Sequence, residues 1–155
     1  MGLGYVDSIV LYNRYESGVL GNVFYIGTRF DNVRVELTQG ANIRTSGIEN
    51  ADSCVVKISN NMTLPKTYVA PVQWLDLTTE EMQEKFTLDK DNKNFWVIAK
   101  KEELGINIEP PEGLIDGSDY QEGFLEHISR EYGYTYMLNT VDVYTLIPRF
   151  EIGGS

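Results

Sequence analysis

The sequence predicts a mainly β fold, a small β-barrel or sandwich carrying one or two short helices. Three observations predict it. Runs rich in Val, Ile, Tyr and Phe recur along the chain, several alternating apolar with polar residues. Gly, Asn, Asp and Pro punctuate them at short intervals. Only two segments carry the polar cap and apolar stripe of a helix.

Ser8 to Arg14 reads as the first strand, and Tyr15 to Gly18 with Gly21-Asn22 as its turn. Val23 to Thr28 and Phe30 to Leu37 follow as strand, Val33, Val35 and Leu37 alternating with Arg34 and Glu36. Asp31-Asn32 between them is a turn or bulge. Residues 38–52 are polar, glycine-bearing and aperiodic, a long loop of the kind that carries contacts. Cys54 to Ile58 is the next strand. Tyr68 to Trp74 follows, limited by Pro71 to an edge strand or an irregular crossing. Thr78 and Glu81 form a capping box ahead of a short helix. Phe86 to Leu88 and Phe95 to Ala99 form a hairpin across Asp89 to Asn94.

Residues 105–117, with Pro110-Pro111, read as an extended linker. Ser118 to Gln121 repeats the capping-box pattern before a helix to about Tyr132, with Phe124, Leu125, Ile128 and Tyr132 on one face and Gly133 as its stop. Tyr134 to Leu146 is strand, turning at Asn139-Thr140. Pro148 then precedes a last strand, Arg149 to Ile152. The 155 residues suit one domain.

Charge narrows the function. There are 23 acidic against 13 basic side chains, a net charge of -10. A surface this negative repels a phosphate backbone and argues against nucleic-acid binding through Lys/Arg contacts. The start lacks the basic and apolar regions of a signal peptide, and no apolar run approaches the ~20 residues that cross a bilayer. A soluble protein, away from membranes, inside the cell that makes it is the expectation. Lone Cys54 reads as a small buried hydrophobe, with no disulfide partner.

Catalytic chemistry finds no constellation. The only histidine, His127, lacks a second His or a Cys nearby in sequence to share a metal. Glu80, Glu84 and Glu102-Glu103 read as solvated carboxylates. Asp89, Asp91 and Asn94 lack the glycine and terminal Glu of a calcium loop. The reading is a non-enzyme with no catalytic residue, metal or cofactor.

Separated pieces carry a resemblance: Ile9-Val10-Leu11-Tyr12-Asn13-Arg14, Thr45 to Asp52, Phe86-Thr87-Leu88 with Phe95-Trp96-Val97-Ile98, Thr140-Val141-Asp142 and the closing Phe150 to Gly154. In order and spacing they resemble a family of small head–tail morphogenesis proteins from phages and prophages of Gram-positive hosts. Two departures stand out: the 89–94 turn lacks the glycine usual there, and Pro148-Arg149-Phe150 replaces a tail usually richer in His and Trp.

The resemblance implies a structural virion protein of the neck, a head–tail connector or stopper ring that closes the DNA channel. Such stoppers are small β-barrels in six-fold rings. The implied partners are further copies of the chain in a homo-hexamer, portal or connector proteins above, and tail terminator or tube proteins below. Packaged DNA would pass without sequence-specific binding, and assembly would occur in the bacterial cytoplasm. Candidate ring or channel contacts are Gln39, Asn42, Arg44, Thr45 and Ile48. Arg149, Phe150 and Ile152 are the candidate docking strand. The rival readings are a tail terminator or tail-completion protein and, in a different class, a small β-barrel binding module for a host protein or ligand.

Overall fold

Strand periodicity becomes a closed wall. A computed structural model describes residues 5–17, 21–38, 53–59, 64–144 and 149–155. β1 (Asp7–Ser17) and β2 (Asn22–Thr38) form a long antiparallel hairpin. β3 (Ser53–Ser59) pairs with the far half of β2. β10 (Arg149–Gly154) lies beside β3, β9 (Thr135–Tyr144) beside β10, and β6 (Phe95–Lys101) beside β9. β6 returns to β1, Tyr12 opposite Phe95 and Ser8 opposite Lys100. The result is a six-stranded antiparallel barrel, closed so that most edge hydrogen bonds are satisfied within the wall.

The alternation read from sequence sorts side chains between interior and exterior. Ile9, Leu11, Val35, Val56, Ile58, Trp96, Ile98, Leu138, Phe150 and Ile152 fill the interior, each at most 2% exposed. Full burial of such side chains stabilises by roughly 1.5–3 kcal/mol each. The inward sequence on β2 steps from Phe30 to Val33, three residues instead of two. A bulge at Asp31-Asn32 makes the step: Ile9 faces Phe30, but Asp7 faces Val33. Asn32 takes the left-handed conformation there (φ 58°), which asparagine tolerates.

β1 and β6 are buried on both faces. Their outward residues Val10, Tyr12, Phe95, Val97 and Ala99 lie under helix α3 (Phe124–Tyr132), through Phe124 and Ile128. The helical stripe is as expected, and Gly133 (φ 87°) ends the helix. Its start differs. Ser118 lies in a 3-10 turn (Gly117–Asp119), its N–H donating to Asp116 Oδ1 at 2.9 Å, and α3 begins after Gly123.

Other expectations need correction. Of the 68–74 segment only Tyr68 is in a strand, β4 (Thr67–Tyr68), and the rest crosses irregularly. Pro71 instead opens the short helix α1 (Pro71–Trp74), because proline at a first helical position loses no hydrogen bond. The Thr78–Glu81 box forms and starts α2 (Thr79–Met82), Glu81 N–H donating to Thr78 Oγ1 at 3.2 Å and Thr78 N–H to Glu81 Oε1 at 2.9 Å.

The hairpin expected between 86–88 and 95–99 is absent. β5 (Lys85–Phe86) pairs in parallel with β4, while β1 and β9 occupy both edges of β6. The stretch 105–117 contains two wall strands, β7 (Ile106–Asn107) on β6 and β8 (Gly113–Asp116) on β2. β9 runs straight through Asn139-Thr140. The turn signal there marks a register slip: Thr140 faces Gly153, but Leu138 faces Gly154.

Candidate interaction surface

Strand directions define two mouths. At the first, β1, β3 and β9 end, and β6 and β10 begin. β3 and β6 stand three strands apart in a six-membered ring, so the chain joining them crosses this mouth. Its described part, 64–94, is a plug. Trp74, Met82, Phe86 and Leu88 are at most 4% exposed. Phe86 packs edge-on against Phe30 (4.9 Å between centroids) and Phe150 (5.9 Å). The barrel is therefore solid along its described wall, its interior filled by side chains.

Polar side chains fix the plug. Asn13 follows Ile9 and Leu11 on the inward face of β1 and is fully buried. Its Nδ2 donates to Thr87 O at 2.7 Å and to Asn94 Oδ1 at 2.8 Å, and its Oδ1 accepts from Thr87 N–H at 3.2 Å. Asn94 Oδ1 also accepts from Asp89 N–H at 3.2 Å. The amide side chain thus imitates a strand neighbour where none exists.

The plug also patches a gap in the wall. β6 begins at Phe95, level with Tyr12 of β1 and Met137 of β9, while β1 continues to Ser17 and β9 to Tyr144. The 89–94 turn fills the space between. Asn92 Nδ2 donates to Arg14 O at 2.8 Å, and Leu138 N–H donates to Asn94 O at 2.9 Å. Beyond these ties the upper parts of β1 and β9 have no strand on that side among the described residues.

Exposed apolar side chains gather on plug and rim: Val72 (71% exposed), Leu75 (67%) and Val143 (48%). A cleft of about 670 Å³ opens between the β1 tip and α1–α2, its lining including Tyr15, Leu75, Leu77 and Met82.

The second mouth is where β2 ends at Thr38, β3 begins at Ser53, and β10 leads to Ser155. Asp7 and Lys101 meet there with side chains only 4% and 12% exposed, 3.4 Å apart. Asp7 Oδ2 accepts from Val35 N–H at 2.8 Å, and Lys101 Nζ donates to Val35 O at 2.9 Å. Ser8 Oγ donates to Asp31 Oδ1 at 2.6 Å and, with Arg29, holds that carboxyl below its usual range. Cys54 is buried in the interior, and burial pushes its thiol up to about 12.

The predicted contact residues Gln39, Asn42, Arg44, Thr45 and Ile48 lie outside the described residues. Of the predicted docking strand, Phe150 and Ile152 point into the core (1% and 0% exposed), and β10 is bonded on both sides. Arg149 faces outward over the Tyr144 ring, 4.3 Å from its centroid. Contacts made by this strand must therefore use Arg149 and Glu151, because the apolar pair is committed to the barrel.

His127 lies on α3 against the Tyr120 ring (4.6 Å between centroids), with Glu122 and Arg130 beside it. Among the described residues no three His, Cys, Asp or Glu side chains converge as a metal site, and no helix is long and apolar enough to cross a membrane. The plug and its asparagine clamp went unread in the sequence. The available signal was Asn13 on an inward position of an apolar strand.

Residues 5–145 match a family of unknown function, DUF6751. No curated protein matches the chain, and no solved structure does.

Proposed function

For a chain that belongs to DUF6751, a family of unknown function, we propose a structural role: a head–tail connector or stopper of the bacteriophage neck, acting as a ring of identical copies. The observation that carries the reading is the plugged barrel itself. A wall with a filled interior offers no lumen, so a DNA channel would have to run between copies. Each copy brings two unlike ends: a mouth where, among the described residues, β1 and β9 extend past the start of β6, and a mouth where Asp7 and Lys101 pair. Unlike surfaces that meet head-to-tail generate a ring when the rotation closes. The resemblance of the separated sequence pieces to head–tail proteins supplies the place of that ring.

Charge supports the same reading. With a net charge of -10, a wall built of such copies repels DNA and lets it slide. The action is mechanical: copies dock on the connector above and close the channel between them, and tail attachment or infection opens it. Fractionation tests this. The chain should be found on DNA-filled heads lacking tails. Its presence only on isolated tails would move it to a terminator role, and its absence from both would end the virion reading.

A further inference from the structure

We infer that the cleft between the tip of β1 and helices α1–α2 is a docking groove for an extended, basic-and-apolar segment of another protein. The inference stands independently of the neck reading, since it rests only on the groove.

Three features fit that occupant. The first is a strand edge. β1 pairs with β6 only as far as Tyr12, and Arg14 O points into the gap, where it accepts from Asn92. Residues two apart on a strand face the same way, so the N–H and C=O of Glu16 point into the cleft as well. They offer an incoming strand a donor and an acceptor. The second is an apolar floor. Tyr15 and Met82 close its base, while Leu75 stands 67% exposed at its side. The third is charge on the rim. Glu16, Asp89 and Asp91 outnumber the two cations beside them, Lys90 and Arg14, whose guanidinium is already bonded to Glu16 at 2.9 Å. Asp91 is 82% exposed, with Lys90 3.4 Å away.

These features select an alternating segment. In a strand laid along Glu16, every second side chain would reach the floor and the others the acidic rim. Apolar side chains suit the first set and Lys or Arg the second. An acidic segment is repelled, and a basic segment without apolar residues leaves the floor wet.

The test uses the whole chain, isotope-labelled, titrated with short synthetic peptides and followed by amide NMR shifts. A peptide alternating lysine with valine should bind saturably, with shifts concentrated at 15–17, 75–79 and 89–92. A lysine–serine peptide should bind at least about tenfold more weakly, the value of one unburied side chain. A glutamate–valine peptide should not bind. Leu75→Asp and Asp91→Lys, both at exposed positions that the core does not use, should each weaken the lysine–valine peptide by about tenfold or more. Equal binding of the lysine–serine peptide, shifts spread over other acidic surfaces, or unchanged binding by Leu75→Asp would overturn the inference.

Discussion

Replacing Asn13 tests how the barrel mouth is closed. Asn13→Ala removes a fully buried amide that serves both the N–H and the C=O of Thr87. Asn94 Oδ1 keeps its bond from Asp89 N–H, so the loss falls mainly on the two Thr87 backbone groups. Leaving a buried donor or acceptor unpaired costs about 1–3 kcal/mol. Two such groups give a loss of about 2–6 kcal/mol, a large share of the ~5–15 kcal/mol by which domains are stable. For a chain of this size that lowers the melting temperature by roughly 4–24 °C.

Asn13→Leu separates hydrogen bonding from packing, because leucine fills the space but bonds nothing. Urea denaturation followed by far-UV circular dichroism should place both variants at a similar loss. Amide exchange at Thr87 should accelerate in both. Near-native stability of Asn13→Leu would refute the clamp and leave only a volume effect.

Further substitutions probe other links. Lys101→Met strands the buried Asp7 carboxylate and should cost about 3–5 kcal/mol in urea denaturation, with much of that recovered by adding Asp7→Asn. Full stability of Lys101→Met would show that Asp7 needs no cation. At Gly27, an added Cβ would lie 2.8 Å from Tyr12 Cε1 and 2.9 Å from Pro111 O, so Gly27→Ala should cost about 1–3 kcal/mol by thermal denaturation. A thiol pushed up to about 12 is ionised in roughly one molecule in ten thousand at about pH 8. Cys54 in the folded chain should therefore resist iodoacetamide and react only after denaturation, as read by intact mass.

What the sequence made legible follows from what is local. Alternation over 33–37 and the apolar runs at 9–12 and 95–99 reveal strands, and they are strands. Asp31-Asn32 signals its bulge through local backbone preference. The Thr78–Glu81 box is legible for the same reason. The misread places depend on distant partners. Pro71 suits both an edge strand and a first helical turn, and burial of Trp74 in the plug decided for the helix. Phe95 to Ala99 gives no sign that both edges of its strand are claimed by segments over 35 residues away in sequence, β1 and β9.

The candidate surface was legible only in part. Phe150 and Ile152 read as docking residues because an alternating terminal strand looks the same whether its apolar face meets a partner or the chain's own core. Asn13 and Asn94 carry no local motif. Their role exists only once folding brings these two residues, 81 positions apart, within 2.8 Å.

The most direct test of the proposed neck role is cryo-electron microscopy of phage particles assembled in cells that carry a tagged copy of the chain, with the barrel fitted to the neck density. A ring of barrels between portal and tail, with six-fold symmetry, is the expected result. Absence of the barrel from the whole particle would contradict the neck assignment.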